Sequence, residues 1–144
     1  MQITPFLWYN GHVEDAVALY TSVFPNSRVL SASPMSATVE IEGQPLMIFN
    51  GGQHYALSPA ISLYVNCESQ AEVDRIWAQL VDGGEESRCG WLVDRFGLSW
   101  QIIPSLLPKL LQDPDRAKAK RVMDAMLTMQ KIDIAALERA AAAT

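Results

Sequence analysis

The sequence predicts an α+β fold in one domain, built from two copies of a strand–helix–three-strand unit (βαβββ) and a C-terminal helical tail. Two apolar strands each lead through an Asn-containing turn into a helix. Each helix is followed by short strands, and the residues after Pro104 change to helical periodicity. The expected boundaries are residues 1–52 for the first unit, 60–104 for the second and 105–144 for the tail.

The repeat is carried by "FLWYNGHVEDAVALY" (6–20) and "SLYVNCESQAEVDRIW" (62–77), in which Leu7 aligns with Leu63 and Asn10 with Asn66. In both stretches apolar residues recur at three- and four-residue spacing, which predicts helices with one buried face. The expected buried residues are Val13, Ala16, Val17 and Tyr20 in the first helix, and Val73, Ile76, Trp77 and Leu80 in the second. Pro25-Asn26 and Gly83-Gly84 should end the two helices.

Short strands should follow each helix. In the first unit "EG" predicts a hairpin turn between "ATVEI" and "PLMIF". In the second unit, Phe96-Gly97 lies near the corresponding last turn, and aligning Gly43 with Gly97 places Met47 opposite Gln101. A sheet with one helix-covered face leaves its other face open, so we expect two curved sheets that face each other around a cleft.

The tail should be helical and should dock through apolar side chains. Asp113-Pro114 predicts one helix start and Asp133 predicts another, over "IAALERAAAA". The expected apolar stripe contains Val122, Met123, Met126 and Met129, and could dock on the body of the protein or on a partner subunit. The expected solvated face contains Arg116, Lys118, Lys120 and Arg121.

Composition excludes several classes of protein. With 144 residues, 49% hydrophobic and 19% charged, the chain can bury a core and is too apolar to be disordered. A net charge of −5 disfavours a nucleic-acid partner, because phosphates attract cationic surfaces. The first residues lack signal-peptide features, and no apolar run approaches the roughly 20 residues that span a bilayer. Cys67 and Cys89 show no CxxC spacing, so we expect a cytoplasmic protein with free thiols and no membrane partner.

The strand "FGLSWQIIP" (96–104) supplies the most informative candidate. Alternation should turn Ser99, Gln101 and Ile103 to one face of the sheet, and Trp100 to the opposite face. Apolar walls with a few placed polar groups suit a small organic ligand. The candidate ligand-binding residues are Trp8, Phe49, Asn50, His54, Cys89, Trp91 and Gln101. The aromatic side chains could equally fill the core, and His54 could lie on the surface.

No catalytic group can be assigned from the sequence, so whether the protein is an enzyme stays open. There is no GxSxG motif, and neither cysteine has a histidine neighbour in sequence. Gly51-Gly52 lacks the spacing of a phosphate-binding loop, and His12 and His54 have no paired acid that would complete a metal triad.

Four stretches carry a resemblance to a known family: "ITPFLWYNGHVEDAVALYTSVFPNS", "NGG", "CGWLVDRFGLSWQIIP" and "MLTMQKIDIAALERA". Together they resemble the PhnB-like branch of the vicinal oxygen chelate superfamily (glyoxalase, bleomycin-resistance and dioxygenase proteins), often labelled 3-demethylubiquinone-9 3-methyltransferase. The resemblance extends through the tail, and "LSASPMSATV" is shorter than is usual for the branch. It implies paired βαβββ modules, which agrees with the repeat, and a homodimer.

The resemblance also implies where metal-using relatives hold their ligands. Carried over by position, these sites fall on Thr4 or Pro5, near Met47, on Ala60 or Ile61, and on Gln101. An amide is a weak metal donor and apolar side chains donate nothing, so the expected function is metal-independent binding of a small molecule without a cofactor. The alternatives are a metal-dependent lyase, isomerase or dioxygenase of the same fold, and the methyltransferase that the label names.

Overall fold

The computed structural model describes every residue from Met1 to Thr144, and it confirms the predicted α+β class. Two four-stranded mixed sheets each follow the order strand, helix, three strands, and three helices complete the chain. The chain forms two compact units. The first comprises 1–61 with 96–98, and the second comprises 62–95 with 99–144. None of the helices combines the length and apolar character needed to cross a membrane.

The first unit is a sheet with one helix against one of its faces. Its elements are β1 (Phe6–Tyr9), α1 (Val13–Val23), β2 (Ser27–Ala32), β3 (Ser36–Ile41) and β4 (Gln44–Asn50). The strand order is β1-β4-β3-β2, with β1 parallel to β4. The predicted α1 residues are all buried, together with alternate residues of the strands, among them Leu7, Tyr9, Val39, Leu46 and Ile48. The sequence periodicity therefore identified the core face of this unit correctly.

The predicted "EG" turn closes the β3–β4 hairpin. Glu42 and Gly43 have φ angles of 48° and 84°, and Ile41 pairs directly with Gln44. Two consecutive positive φ angles characterise the two-residue turn whose twist matches that of the flanking strands. This turn sets which residues of β3 and β4 share a face.

The second unit repeats the arrangement and carries the tail. Its elements are β5 (Ser62–Cys67), α2 (Gln70–Val81), β6 (Glu85–Glu86), β7 (Trp91–Val93), β8 (Ser99–Pro104), α3 (Leu106–Leu111), α4 (Arg116–Met126) and α5 (Ile134–Ala142). The sheet order is β5-β8-β7-β6. All four predicted residues of α2 are buried. Ser69 caps this helix by accepting a hydrogen bond from the Glu72 backbone N–H, as N-cap serines do.

The alignment of the two units differs from the expected one by two residues. Trp8 pairs with Phe49 across β1 and β4, and Tyr64 pairs with Gln101 across β5 and β8. When Trp8 is placed on Tyr64, the counterpart of Gln101 is therefore Phe49, and the expected match with Met47 is wrong. The reason is loop length: two residues connect β3 to β4, whereas residues 94–98 connect β7 to β8.

The tail encloses a second apolar cluster within its own unit. The buried members are Ile103, Leu107, Val122, Ile132 and Leu137, and Met126 and Met129 pack against them. Met123 is 40% exposed, so the expected methionine stripe is only partly docked. Arg121 donates to the carbonyl oxygens of Ala140 and Ala141, so it joins α4 to α5 and does not belong to the solvated face.

Of the two helix starts predicted in the tail, one is confirmed and the other lies two residues further along the chain. Asp133 caps α5 by accepting from the Ala136 backbone N–H, as predicted. The other helix starts two residues later than expected, because Asp115, and not Asp113, caps α4 through the Lys118 N–H. Asp113 instead accepts from the Asp115 N–H and pairs with the Lys118 ammonium at 3.0 Å.

The side-chain amide of Gln70, together with the Asp74–Lys131 ion pair, joins α2 to the tail and gives a direct test of how the tail is held. Gln70 donates from Nε2 to the Ile132 carbonyl at 3.0 Å and accepts at Oε1 from the Ile134 N–H at 2.7 Å. Replacing Gln70 with alanine removes both bonds, together with its bond to Asp74 on the same helix, and should lower the free energy of unfolding by about 1–3 kcal/mol. Urea denaturation measures this, and limited proteolysis should cut the tail faster.

The matched control lies on the same helix. Gln79 is exposed and accepts only from the Arg75 guanidinium, at 3.2 Å. Gln79→Ala should change the free energy of unfolding by less than about 0.5 kcal/mol. Equal effects of the two variants would contradict the assigned role of Gln70.

Candidate functional site

The face of the first sheet that points away from α1 carries aromatic and other apolar side chains that stay accessible. Leu7 and Tyr9 are buried toward α1, so Phe6 and Trp8 point to the opposite face. Their pairing partners on β4, Met47 and Phe49, share that face. Phe6 is 56% exposed and Met47 is 38% exposed. We call Phe6, Trp8, Met47 and Phe49, with Tyr55 and His54 of the following loop, the aromatic face.

The rings of the aromatic face meet nearly at right angles around Trp8. The Trp8 ring centroid lies 5.3 Å from that of Phe49 and 5.0 Å from that of Tyr55, with interplanar angles of 73° and 75°. His54 stands edge-on to Tyr55 at 5.2 Å, and Phe6 lies 5.5 Å from Phe49. The Trp8 and His54 contacts are favourable edge-to-face geometries and the Phe6–Phe49 pair is tilted at 40°, so the rings hold one another in place.

Trp8 is also fixed by the loop that follows β4. Its Nε1–H donates to the Gly52 carbonyl at 3.1 Å. The indole lies so close to the loop backbone that a Cβ on Gly51 would fall 2.0 Å from Trp8 Cε2. Only glycine permits this approach. Gly51 and Gly52 therefore hold the Trp8 indole against the loop backbone.

The corresponding face of the second sheet is polar. Gln101 on β8 pairs with Tyr64 on β5 and with Trp91 on β7, so these three side chains share one face. Gln101 Nε2 donates to Ser62 Oγ at 3.0 Å. Ser99 Oγ is buried and has no hydrogen-bond partner in the protein. We call Ser62, Tyr64, Trp91, Ser99 and Gln101 the polar face.

Asn50, Trp100 and Cys89 each form hydrogen bonds within the protein. Asn50 Oδ1 accepts from the Gly11 N–H at 2.9 Å and so holds the β1–α1 turn, while its expected contact with a ligand stays a prediction. Trp100 is buried and donates from Nε1 to the buried Asp94 carboxylate at 2.9 Å. Cys89 is half-buried in the turn before β7, with its backbone N–H bonded to the Met129 carbonyl.

Of the other predicted ligand contacts, Trp8, Phe49 and His54 come together in the first unit, and Trp91 and Gln101 in the second. The predicted cleft between the two sheets stays a prediction. Phe6, Tyr55, Ser62, Tyr64 and Ser99 were not among the predicted ligand contacts. Strand parity could have identified Phe6, two residues before Trp8, and Tyr64, which pairs with Gln101. Tyr55 lies in a loop, where no periodicity applies.

The two cysteines should differ sharply in reactivity. Cys67 is fully buried, and burial, with a smaller contribution from Glu72, raises the pKa of its thiol from 9.0 to about 12. Because the thiolate is the reactive form, we expect Ellman's reagent at pH 8 to label only Cys89 in the folded protein and both cysteines after unfolding in guanidinium. Rapid labelling of Cys67 in the folded protein would contradict this.

The raised pKa of the Cys67 thiol also has a defined sign for stability. The folded state holds the thiol proton more tightly than the unfolded state, so this thiol should destabilise the fold progressively as pH rises from about 9 to about 12, and should have no effect below that range. Urea denaturation across this range should show a smaller loss of stability in Cys67→Ala.

The residues present do not fit the metal ion that the family resemblance implies. No group of three His, Cys, Asp or Glu side chains could hold a cation. The positions carried over from metal-using relatives are Thr4, Pro5, Met47, Ala60, Ile61 and Gln101, which supply no carboxylate or imidazole. The amide at Gln101 is bonded to Ser62.

The residues present also do not fit S-adenosylmethionine, the methyl donor that the methyltransferase label implies. Rossmann-like methyltransferases use a glycine-rich turn after the first strand of a parallel sheet. Here both sheets are mixed, and the turn after β1 leads into α1 through Gly11 and His12. The Trp8 indole packs directly against Gly51, so the protein's own side chain covers this part of the loop backbone.

Comparisons with known proteins agree on the family and the fold. The sequence model of the family described as "3-demethylubiquinone-9 3-methyltransferase" matches residues 1–103. Among solved structures, a PhnB protein from Bacillus cereus that bears the same family description is 30% identical, with a TM-score of 0.68. The alignment covers 73% of this chain and 100% of that protein. The resemblance expected for the tail lies outside the matched region and stays a prediction.

Two more distant structures share the fold alone. A glyoxalase-related enzyme from Fulvimarina pelagi is 17% identical, with a TM-score of 0.54, over 74% of this chain and 91% of that one. A fosfomycin resistance protein from Listeria monocytogenes, complexed with Mn(II) and sulfate, is 14% identical, with a TM-score of 0.54, over 69% and 86%. No curated protein matches the chain significantly.

Proposed function

The chain belongs to the PhnB-like, 3-demethylubiquinone-9 3-methyltransferase family of the vicinal oxygen chelate superfamily, and we propose that it binds a small organic molecule without a resident metal ion. The observation that carries the proposal is the aromatic face. It presents partly exposed rings whose positions are fixed in advance by ring contacts and by the Trp8–Gly52 hydrogen bond. Rings held in place bind with little loss of conformational entropy.

The polar face supports the same proposal. The buried Ser99 hydroxyl carries a desolvation cost of about 1–3 kcal/mol unless something other than the protein bonds to it. The amide nitrogen of Gln101 donates to Ser62 Oγ. The same amide has a second N–H donor and a carbonyl oxygen that can accept. Directional polar groups beside aromatic side chains are typical of small-molecule sites. No residue is assigned a catalytic role.

Ligand-observed NMR with a library of aromatic fragments tests the proposal. We expect fragments that bind the wild-type protein at millimolar or lower concentration and that lose binding in Trp8→Leu. Trp77→Phe is the matched control, since Trp77 is buried in α2 and donates only to Glu86. If no fragment distinguishes Trp8→Leu from wild type, the aromatic face is not a binding site.

Metal analysis separates this proposal from a metal-dependent lyase, isomerase or dioxygenase. Protein purified without chelator should carry well below one zinc, nickel, manganese or iron ion per chain, because no donor set is present. A stoichiometric ion would overturn metal-independent binding. S-adenosylmethionine should give no binding heat by calorimetry at millimolar concentration, and measurable heat would favour the methyltransferase.

The homodimer and the cytoplasmic location are part of the same proposal. Val29, Leu30 and Met35, on and just after the edge strand β2, are 47%, 50% and 55% exposed, and clustered apolar exposure favours an interface between copies. Light scattering should give about twice the 15.9 kDa of one chain. Leu30→Lys should shift the mass toward one chain, and a monomeric wild type would contradict the dimer.

A further inference from the structure

We propose that the aromatic face selects planar aromatic cations over neutral and anionic molecules of the same shape. This inference rests on the proposed function, because it names the class of molecule that the same face would bind. It goes further by assigning a preference in charge, which follows from ring geometry and from the charges near the face.

The ring geometry supplies the attraction. Trp8 meets both Phe49 and Tyr55 at steep angles, with centroids 5.3 and 5.0 Å apart. Rings at right angles form an inside corner, and a group seated there is within reach of two π systems at once. A cation is attracted when it lies within about 6 Å of a ring centroid, most strongly at tryptophan. The Trp8 ring cannot turn away easily, because Gly52 holds its N–H and Gly51 backs its surface.

The charges near the aromatic face explain why cations are preferred over anions. Its strands carry one ion pair, in which Arg28 of β2 lies 3.3 Å from Glu40 of β3, so each charge is compensated by the other. The loop over residues 51–61 contains no Asp, Glu, Lys or Arg. From these strands and this loop, an anion at the corner would meet the negative faces of the rings and no uncompensated cation. The net charge of −5 adds a general attraction for cations.

Shape alone does not distinguish the three classes of molecule. A neutral bicyclic ring gains the same stacking and apolar burial as its cationic analogue. The cation additionally gains the interaction with the π systems of two partly exposed rings, which corresponds to roughly five- to thirty-fold in affinity. The difference between matched probes therefore isolates the proposed preference.

Three probes of one shape test the inference: N-methylquinolinium, quinoline and quinoline-4-carboxylate at pH 8. Titrations are followed in ¹H–¹⁵N spectra through the indole N–H of Trp8, assigned by its disappearance in Trp8→Phe. We expect N-methylquinolinium to shift this signal with an affinity about five-fold or more above that of quinoline, and the carboxylate to bind more weakly than either.

Variants check which rings are responsible. Tyr55→Leu removes one of the two rings that meet Trp8 at a steep angle, so the ratio of the affinities for N-methylquinolinium and quinoline should fall by about two-fold or more. Leu127→Ala is the control, because Leu127 lies in the tail and is 56% exposed, close to the 63% of Tyr55. It should leave the ratio unchanged. The dispersion of the spectra shows whether each variant is folded.

The outcomes separate this inference from the proposed function. If quinoline or the carboxylate binds at Trp8 as tightly as N-methylquinolinium, charge selection is wrong, while binding at the aromatic face is supported. If no probe moves the Trp8 signal and no fragment binds in a Trp8-dependent way, both proposals are overturned. A cation preference that is undiminished in Tyr55→Leu contradicts the contribution of the Tyr55 ring.

Discussion

Replacing Gly51 with alanine should displace the Trp8 indole and weaken the binding of aromatic probes by more than about ten-fold, with most of the fold intact. The new Cβ would lie 2.0–2.4 Å from three atoms of the indole, so the ring has to move. Trp8 is only partly buried and can rotate outward, losing its bond to the Gly52 carbonyl. The free energy of unfolding should fall by only about 1–2 kcal/mol.

The indole N–H signal of Trp8 reports the displacement directly. Gly11→Ala is the control, because Gly11 has a φ of +72° and no atom within 4 Å of its added Cβ. It should cost about 1 kcal/mol of stability through backbone strain alone, with probe affinity preserved. Unchanged probe binding in Gly51→Ala would show that the position of Trp8 does not matter.

Replacing Gly84 with alanine should destabilise the second unit more than any surface substitution, by about 3 kcal/mol or more. The added Cβ would lie 2.1 Å from the Val93 carbonyl oxygen and within 3.0 Å of two Asp94 backbone atoms. Backbone atoms cannot yield by changing rotamer, so β6 and β7 would have to separate. Because β7 carries Trp91, the polar face should be disturbed as well.

Urea denaturation measures the effect, with Gly43→Ala for comparison. Gly43 has a φ of +84° but open space around its added Cβ, so its cost should stay near 1 kcal/mol. A cost for Gly84→Ala no larger than that of Gly43→Ala would mean that β6 and β7 adjust without strain. The urea m-value shows whether the transition remains cooperative.

Helix faces and the hairpin turn were predictable because each depends on neighbours in sequence. The apolar spacing in α1 and α2 identified residues such as Val17 and Ile76, which are buried as expected. The role of Asn50 was not predictable, because its partner is the Gly11 N–H, 39 residues away. Nothing in the local pattern distinguishes a polar residue that holds a turn from one that contacts a ligand.

The candidate site was only partly predictable for a related reason. Alternation placed Gln101 and Trp100 on opposite faces correctly, and Trp100 is buried against Asp94. The arrangement of rings around Trp8 depends on a loop, where sequence periodicity gives no register. Gly51 is informative only once the indole is seen against it.

The residues that make up the first unit are not contiguous in the chain. The segment 96–98 belongs to that unit, although its neighbours on both sides belong to the second. Within the first unit, the Phe96 ring lies 6.2 Å from those of both Tyr9 and Tyr20. A fragment cut after residue 61 would therefore lack part of its own aromatic core.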